Sequence, residues 1–113
     1  MALTGQYTSA ITKAVAVVTE TYGIPLLTAG SSPSLTTPET GLEWYFRFGP
    51  NDTYYIRDSF EFIKQLNEEQ DAGLMTVALV SEDTEFGANI RIEEERMAEE
   101  YGIEVVENIT YSS

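Results

Sequence analysis

The sequence predicts an α/β protein built on a three-layer parallel sheet that is incomplete. Three observations predict it. Segments with apolar residues at three- and four-residue steps alternate with short apolar runs, the pattern of helices covering parallel strands. Glycines stand where two of the helical segments should stop, at Gly23 and Gly102. Finally, the clearest apolar runs end in loops of small or hydroxylated residues, where open α/β sheets present binding groups.

The elements follow in order. Gly5–Ser9 reads as a loop whose Thr8 or Ser9 caps a helix over Ser9–Tyr22, with Ile11, Ala14, Val15, Val18 and Tyr22 on one face. The chain therefore opens on a helix with no strand before it. Ile24–Thr28 reads as a strand buried on both faces. Trp44–Phe48 is an aromatic strand, and Gly49-Pro50-Asn51-Asp52 breaks it and marks the one subdomain boundary. A second helix runs from about Thr53 to Leu66, capped by Asp52, with Ile56, Phe60, Ile63 and Leu66 inward. Leu74–Val80 is the clearest strand. A third helix, from about Phe86 to Tyr101, turns Ile90, Met97 and Tyr101 inward and Glu93-Glu94-Glu95-Arg96 outward. Ile103–Ile109 is the last strand.

Composition narrows the chemistry. With 113 residues the chain holds one ordinary domain at most, and 42% hydrophobic residues support a packed core. Six Lys and Arg against 19 Asp and Glu give a net charge of −13. A nucleic-acid partner is excluded on that balance, because phosphate contacts need cations. No Cys and no His occur, which removes disulfides, thiolate chemistry, Ser–His hydrolysis and the usual zinc ligands. No cofactor or metal site is expected. No run reaches the ~20 apolar residues of a membrane span. Met1–Gly5 has neither the basic region nor the apolar core of a signal peptide, so the chain as given reads as soluble and unaddressed.

The loop after the first buried strand, Thr28–Thr36, carries the candidate binding groups: the hydroxyls of Ser31 and Ser32 and the backbone N–H groups of Gly30, Ser31 and Ser32, suited to a carboxylate or another small anion. The same residues equally suit a connecting turn. Ser9, at a helix start, fits a cap as well as an anion contact.

Taken together, Gly5…Ser9, Gly23-Ile24-Pro25, Ser31-Ser32-Pro33-Ser34-Leu35-Thr36, Phe46-Arg47 and Glu82-Asp83-Thr84-Glu85-Phe86-Gly87 resemble the type 1 periplasmic-binding fold. Within it they are similar to the branched-chain amino-acid-binding proteins, the extracellular ligand-binding receptors of ABC importers. The resemblance implies a middle fragment of a two-lobed Rossmann-like receptor: residues 1–50 as the latter half of the lobe-one unit, 51–113 as the opening of lobe two, and a hinge near 48–52. It implies a periplasmic or extracellular location, an amino acid or similar small ligand, an ABC permease as partner of the intact parent, and no catalysis. Carried over residue by residue, Ser9 matches the serine that meets the ligand carboxylate. Gly30, with the adjoining Ala29, matches the small position that offers a carbonyl, and Ser31 the hydroxyl position. Phe86 stands where many relatives place a tyrosine, so an apolar wall remains and a phenolic hydrogen bond is lost. Phe86 also suits the core at the start of its helix.

Other readings stay open. A receiver or flavodoxin-like signalling domain shares the layer order, but Lys13 and Lys64 both fall within helices. A carboxylate enzyme using Glu82, Asp83 and Glu85 would need buried groups with separated pKa values. A sensor can reuse the same fold without transport. Few strands and unpaired edges lead us to expect a homo-oligomer, formed by exchange of elements across the hinge segment.

Overall fold

A computed structural model of the chain describes residues 1–30 and 40–112. Two compact units arise, Met1–Asp52 and Thr53–Ser113. In the first, strand β1 (Leu3–Thr4), helix α1 (Ser9–Thr21), β2 (Leu26–Thr28) and β3 (Tyr45–Arg47) form a three-stranded parallel sheet in the order β1-β2-β3, with α1 packed against it. Leu3 stands opposite Leu26, which in turn stands opposite Tyr45. The chain thus does have a strand before its first helix. Two residues are too few to show a period, and β1 exists because β2 offers it hydrogen bonds, including Leu3 N to Pro25 O at 2.9 Å.

Helix α1 buries a different face from the expected one. Ser9, Thr12, Ala16 and Thr19 are buried, whereas Ile11 and Val18 are 56% exposed and Tyr22 73%. Short side chains let the helix lie close over Leu26, which is fully buried. The threonine hydroxyls are accommodated because each donates back along the helix, Thr12 to Thr8 O at 2.9 Å and Thr19 to Ala16 O at 3.0 Å. Thr8 occupies the cap position, but its side chain makes no cap hydrogen bond. At the other end Gly23 takes φ 61°, and the Glu20 carboxylate accepts from the backbone N–H groups of Glu43 and Trp44, tying α1 to the start of β3. Strand β2 is covered on one side only, since Leu27 stays 40% exposed between buried Leu26 and Thr28.

The second unit contains most of helix α2 (Asp52–Gln70), then β4 (Thr76–Glu82), α3 (Glu85–Tyr101) and β5 (Glu104–Tyr111). Strands β4 and β5 pair in parallel, with a register shift between Val77 and Ala78. Ile56, Phe60, Met97, Ala98 and Ile103 form the core, joined by half-buried Ile63, Val77, Ile90, Tyr101 and Val105. The apolar spacing of α2 predicts this face correctly. Asp52, expected as a cap outside the helix, is its buried first residue. Tyr101 O–H donates to Glu61 across the two helices. That bond, with smaller contributions from burial and neighbouring carboxylates, pushes the phenol up to about 12.

Glu94 departs from the outward position expected of it. It lies on the α3 stripe between Ile90 and Met97 and Ala98, and its Oε2 is shielded from solvent with no hydrogen-bond partner among the described residues. Burial first, and the Glu95 carboxylate second, push the Glu94 carboxyl above its usual range. The folded chain therefore holds this proton more tightly than the unfolded chain. The group favours the fold below the ordinary carboxyl pKa, and that increment is lost as pH rises through the raised value. Glu94→Gln is expected to raise the melting temperature at pH 7, with the difference from the natural chain narrowing towards pH 4. Thermal melts of both proteins across that range check it, and a constant difference would refute the assignment.

Candidate functional site

The site is built where the carboxyl ends of three parallel strands meet. Thr4 ends β1 and Gly5–Tyr7 follow it, Ala29 and Gly30 follow β2, and Phe48 follows β3. Together they line a shallow depression of about 280 Å³ in the first unit. Parallel strands point their carboxyl ends the same way, so three loops converge there without further design.

Thr28, the last residue of β2, organises two of these loops. Its buried hydroxyl donates to Gln6 O at 3.1 Å and accepts from Gly30 N at 2.9 Å, fastening the loop after β1 to the loop after β2. The chain reverses between β1 and α1 through two residues with positive φ, Gly5 at 122° and Gln6 at 53°. A side chain at position 30 would be crowded: a Cβ there would stand 3.1 Å from Thr28 Oγ1, 3.2 Å from Thr12 Oγ1 and 3.2 Å from Tyr7 O. Helix α1 starts beside this loop. Because Thr8 does not cap it through its side chain, the first-turn N–H groups receive no acceptor from that hydroxyl.

The expected site residues fall as follows. Ala29 and Gly30 line the depression. The Gly30 N–H, expected from sequence to be open to an anion, instead donates to Thr28 Oγ1. Ser9 opens α1 and is buried. Ser31 and Ser32 lie outside the described residues. Phe86 belongs to the second unit, in the first turn of α3, 40% exposed and outside the buried cluster there. Sequence reasoning missed Thr28, Gln6, Tyr7 and Phe48. A threonine closing a strand and an aromatic just after the next one were the available signals. Phe48, 72% exposed, and Tyr7, 90% exposed, give the depression an aromatic rim.

A larger depression of about 530 Å³ in the second unit is lined by Glu61, Lys64, Asn67, Glu68, Met75, Glu100, Tyr101 and Ile103. Met75 and Ile103 each precede a strand, so it sits at the amino ends of β4 and β5. Three carboxylates face it and would repel an anionic ligand. Among the described residues no group of three or more acidic side chains is placed to hold a metal ion, and no helix is long and apolar enough to cross a membrane.

Comparison with known proteins bears on the whole chain. A solved ABC transporter substrate-binding protein from Desulfitobacterium hafniense, in complex with Leu, superposes with a TM-score of 0.80 at 23% identity, covering 97% of this chain and 31% of that one. A second structure of an ABC transporter substrate-binding protein from the same organism gives 0.79 at 25% identity with the same coverage. The chain therefore spans under a third of the length of these relatives, and it shares their α/β fold with parallel sheets. No curated protein matches it significantly. The family model described as periplasmic binding protein matches residues 1–113, and the chain belongs to that family.

Proposed function

We propose that the chain is part of the solute-binding component of an ABC importer and supplies one wall of a site for an amino acid or similar small carboxylate. The carrying observation is the depression at the carboxyl ends of β1, β2 and β3, beside the start of α1. A carboxylate fits the positive dipole end of that helix. The aromatic rim of Tyr7 and Phe48 fits an apolar side chain, in keeping with the leucine bound by one relative. Ser9, Ala29 and Gly30 are assigned to this wall, and Ser31, outside the described residues, is kept as a contact on the family resemblance alone. In the intact parent, residues 1–50 would represent lobe one and 51–113 lobe two, with the hinge near 48–52, and Phe86 would be a ligand contact from lobe two. The parent would bind without chemistry, outside the cytoplasmic membrane, and its closed form would be read by the permease.

One wall offers too few contacts to offset the cost of immobilising a ligand, so affinity is expected only in the range of roughly 10 mM or weaker. Titration of the ¹⁵N-labelled chain with leucine should shift the amides of Gly5–Ala10 and of Ala29 and Gly30. Calorimetry at micromolar concentration should stay flat. Unmoved amides there at about 50 mM leucine, or shifts concentrated around Glu61–Glu68, would overturn the assignment.

A further inference from the structure

Gln6, in the loop between β1 and α1, carries two local costs at once. Its backbone has φ 53°, in the left-handed region where a Cβ crowds the carbonyl that follows. Its side-chain Oε1 is shut away from solvent with no hydrogen-bond partner among the described residues, whereas buried acceptors ordinarily find a donor. The chain's own atoms enclose that oxygen, so a donor from elsewhere has no room beside it. Asp71, the other described residue besides glycine with positive φ, is exposed just past the end of α2, where a left-handed residue closes a helix. Gln6 closes no helix.

Its place is on the depression, between Gly5 and Tyr7 and just before the start of α1. Thr28 fixes the backbone there, its hydroxyl donating to Gln6 O at 3.1 Å, so the loop is held independently of the Gln6 side chain. The residue as a whole is only partly buried although its oxygen is enclosed. A carboxamide carries its acceptor oxygen and its donor nitrogen on opposite sides of one carbon. With the oxygen turned inward, the nitrogen is turned outward. Besides the hydroxyls of Thr4 and Tyr7, this amide is the one side-chain donor among the described residues lining the depression, and none of those residues is charged.

We propose that Gln6 is a ligand-binding residue of this wall, whose Nε2 amide group donates to the carboxylate of the small ligand beside the positive end of α1. This rests on the reading of the depression as a carboxylate site. Enclosure of Oε1 keeps the amide from turning its acceptor towards the ligand, where it would repel an anion. A neutral donor also suits a chain of net charge −13, because a cation in its place would draw the chain's own carboxylates into the site.

The test is ¹⁵N-correlation spectroscopy, in which the side-chain amide pair of Gln6 is identified as the one lost in Gln6→Gly. Leucine, isocaproate (the same skeleton without the ammonium group) and isoamylamine (the same skeleton without the carboxylate) are each added to about 50 mM. The Gln6 side-chain pair should move with leucine and isocaproate and stay in place with the amine. Gln6→Gly and Gln6→Met should each weaken both carboxylates about tenfold. The melting temperature of Gln6→Gly should stay at or above the natural value, because glycine adopts positive φ without steric cost and leaves no acceptor unmet. If leucine moves the backbone amides of Gly5–Ala10 while the Gln6 side-chain pair stays still and both variants bind as the natural chain does, the role of Gln6 is overturned and the carboxylate site stands. If nothing moves with any of the three, both are overturned. Equal movement of the side-chain pair with the amine also overturns the role of Gln6. Should one variant fail to fold, the other variant and the side-chain pair still decide.

Discussion

Gly87→Ala is expected to destabilise the second unit by about 3 kcal/mol or more, the upper range for overpacking against a neighbour that cannot yield. Gly87 sits in the first turn of α3, where its N–H donates to the capping hydroxyl of Thr84 at 3.1 Å. The end of β4 passes directly beneath. A Cβ at this position would overlap the Glu82 carbonyl and stand 2.9 Å from Glu82 N. Both obstacles are backbone, so relief requires either the loss of the cap or the opening of the ladder where Glu82 pairs with Tyr111. A unit of about 60 residues has little stability to lose. Urea denaturation followed by circular dichroism measures the effect. Gly102→Ala supplies the contrast: Gly102 has φ 67° and open space around it, so an alanine there meets only the left-handed backbone penalty of about 1–2 kcal/mol. If Gly87→Ala costs no more than Gly102→Ala, crowding at the α3 start is not what fixes that glycine.

Thr28→Val is expected to cost about 2 kcal/mol and to loosen the candidate site. The substitution preserves shape and removes one hydroxyl, leaving the buried Gly30 N–H without its acceptor and Gln6 O without its donor. An unmet buried donor alone costs about 1–3 kcal/mol. Thr28→Ser keeps the hydroxyl and loses a methyl group, so it should recover most of the hydrogen-bonding loss. Hydrogen exchange at Gly30 supplies a second readout, with faster exchange in the valine variant and near-natural protection in the serine variant. Equal stability for valine and threonine would mean that the loops after β1 and β2 are held by packing rather than by this hydroxyl.

Much of the fold is legible in the sequence because its signals are local. The apolar run at 74–80 gives β4 to within two residues at either end. Ile56, Phe60 and Ile63 mark the inward face of α2 by spacing alone, and Gly102 ends α3 in the left-handed conformation its type favours. The errors share one cause, which is that burial depends on the partner as well as on the side chain. Hydrophobicity assigns the inward face of α1 to Ile11, Val18 and Tyr22, but the sheet accepts Thr12, Ala16 and Thr19 because their small size permits close approach. Glu94 stands on a stripe that periodicity would reserve for an apolar residue. The candidate site was legible as a place rather than as a set of contacts. Gly30 marks the loop, whereas the hydroxyl that holds its N–H comes from the strand before it, and Gln6 is brought in from 22 residues away.

The sequence by itself determined the α/β class, the order of all but the shortest element and the family. It also removed thiol and imidazole chemistry, because composition and short-range periodicity are properties of the chain before it folds. Tertiary structure alone decided which face of α1 is buried, that Leu3 and Thr4 form a strand, and that Thr28 joins two loops into one wall. Each of these depends on hydrogen bonds and close packing between residues far apart in sequence, where a two-residue strand or a single hydroxyl acquires its role only from the partner that the fold sets beside it.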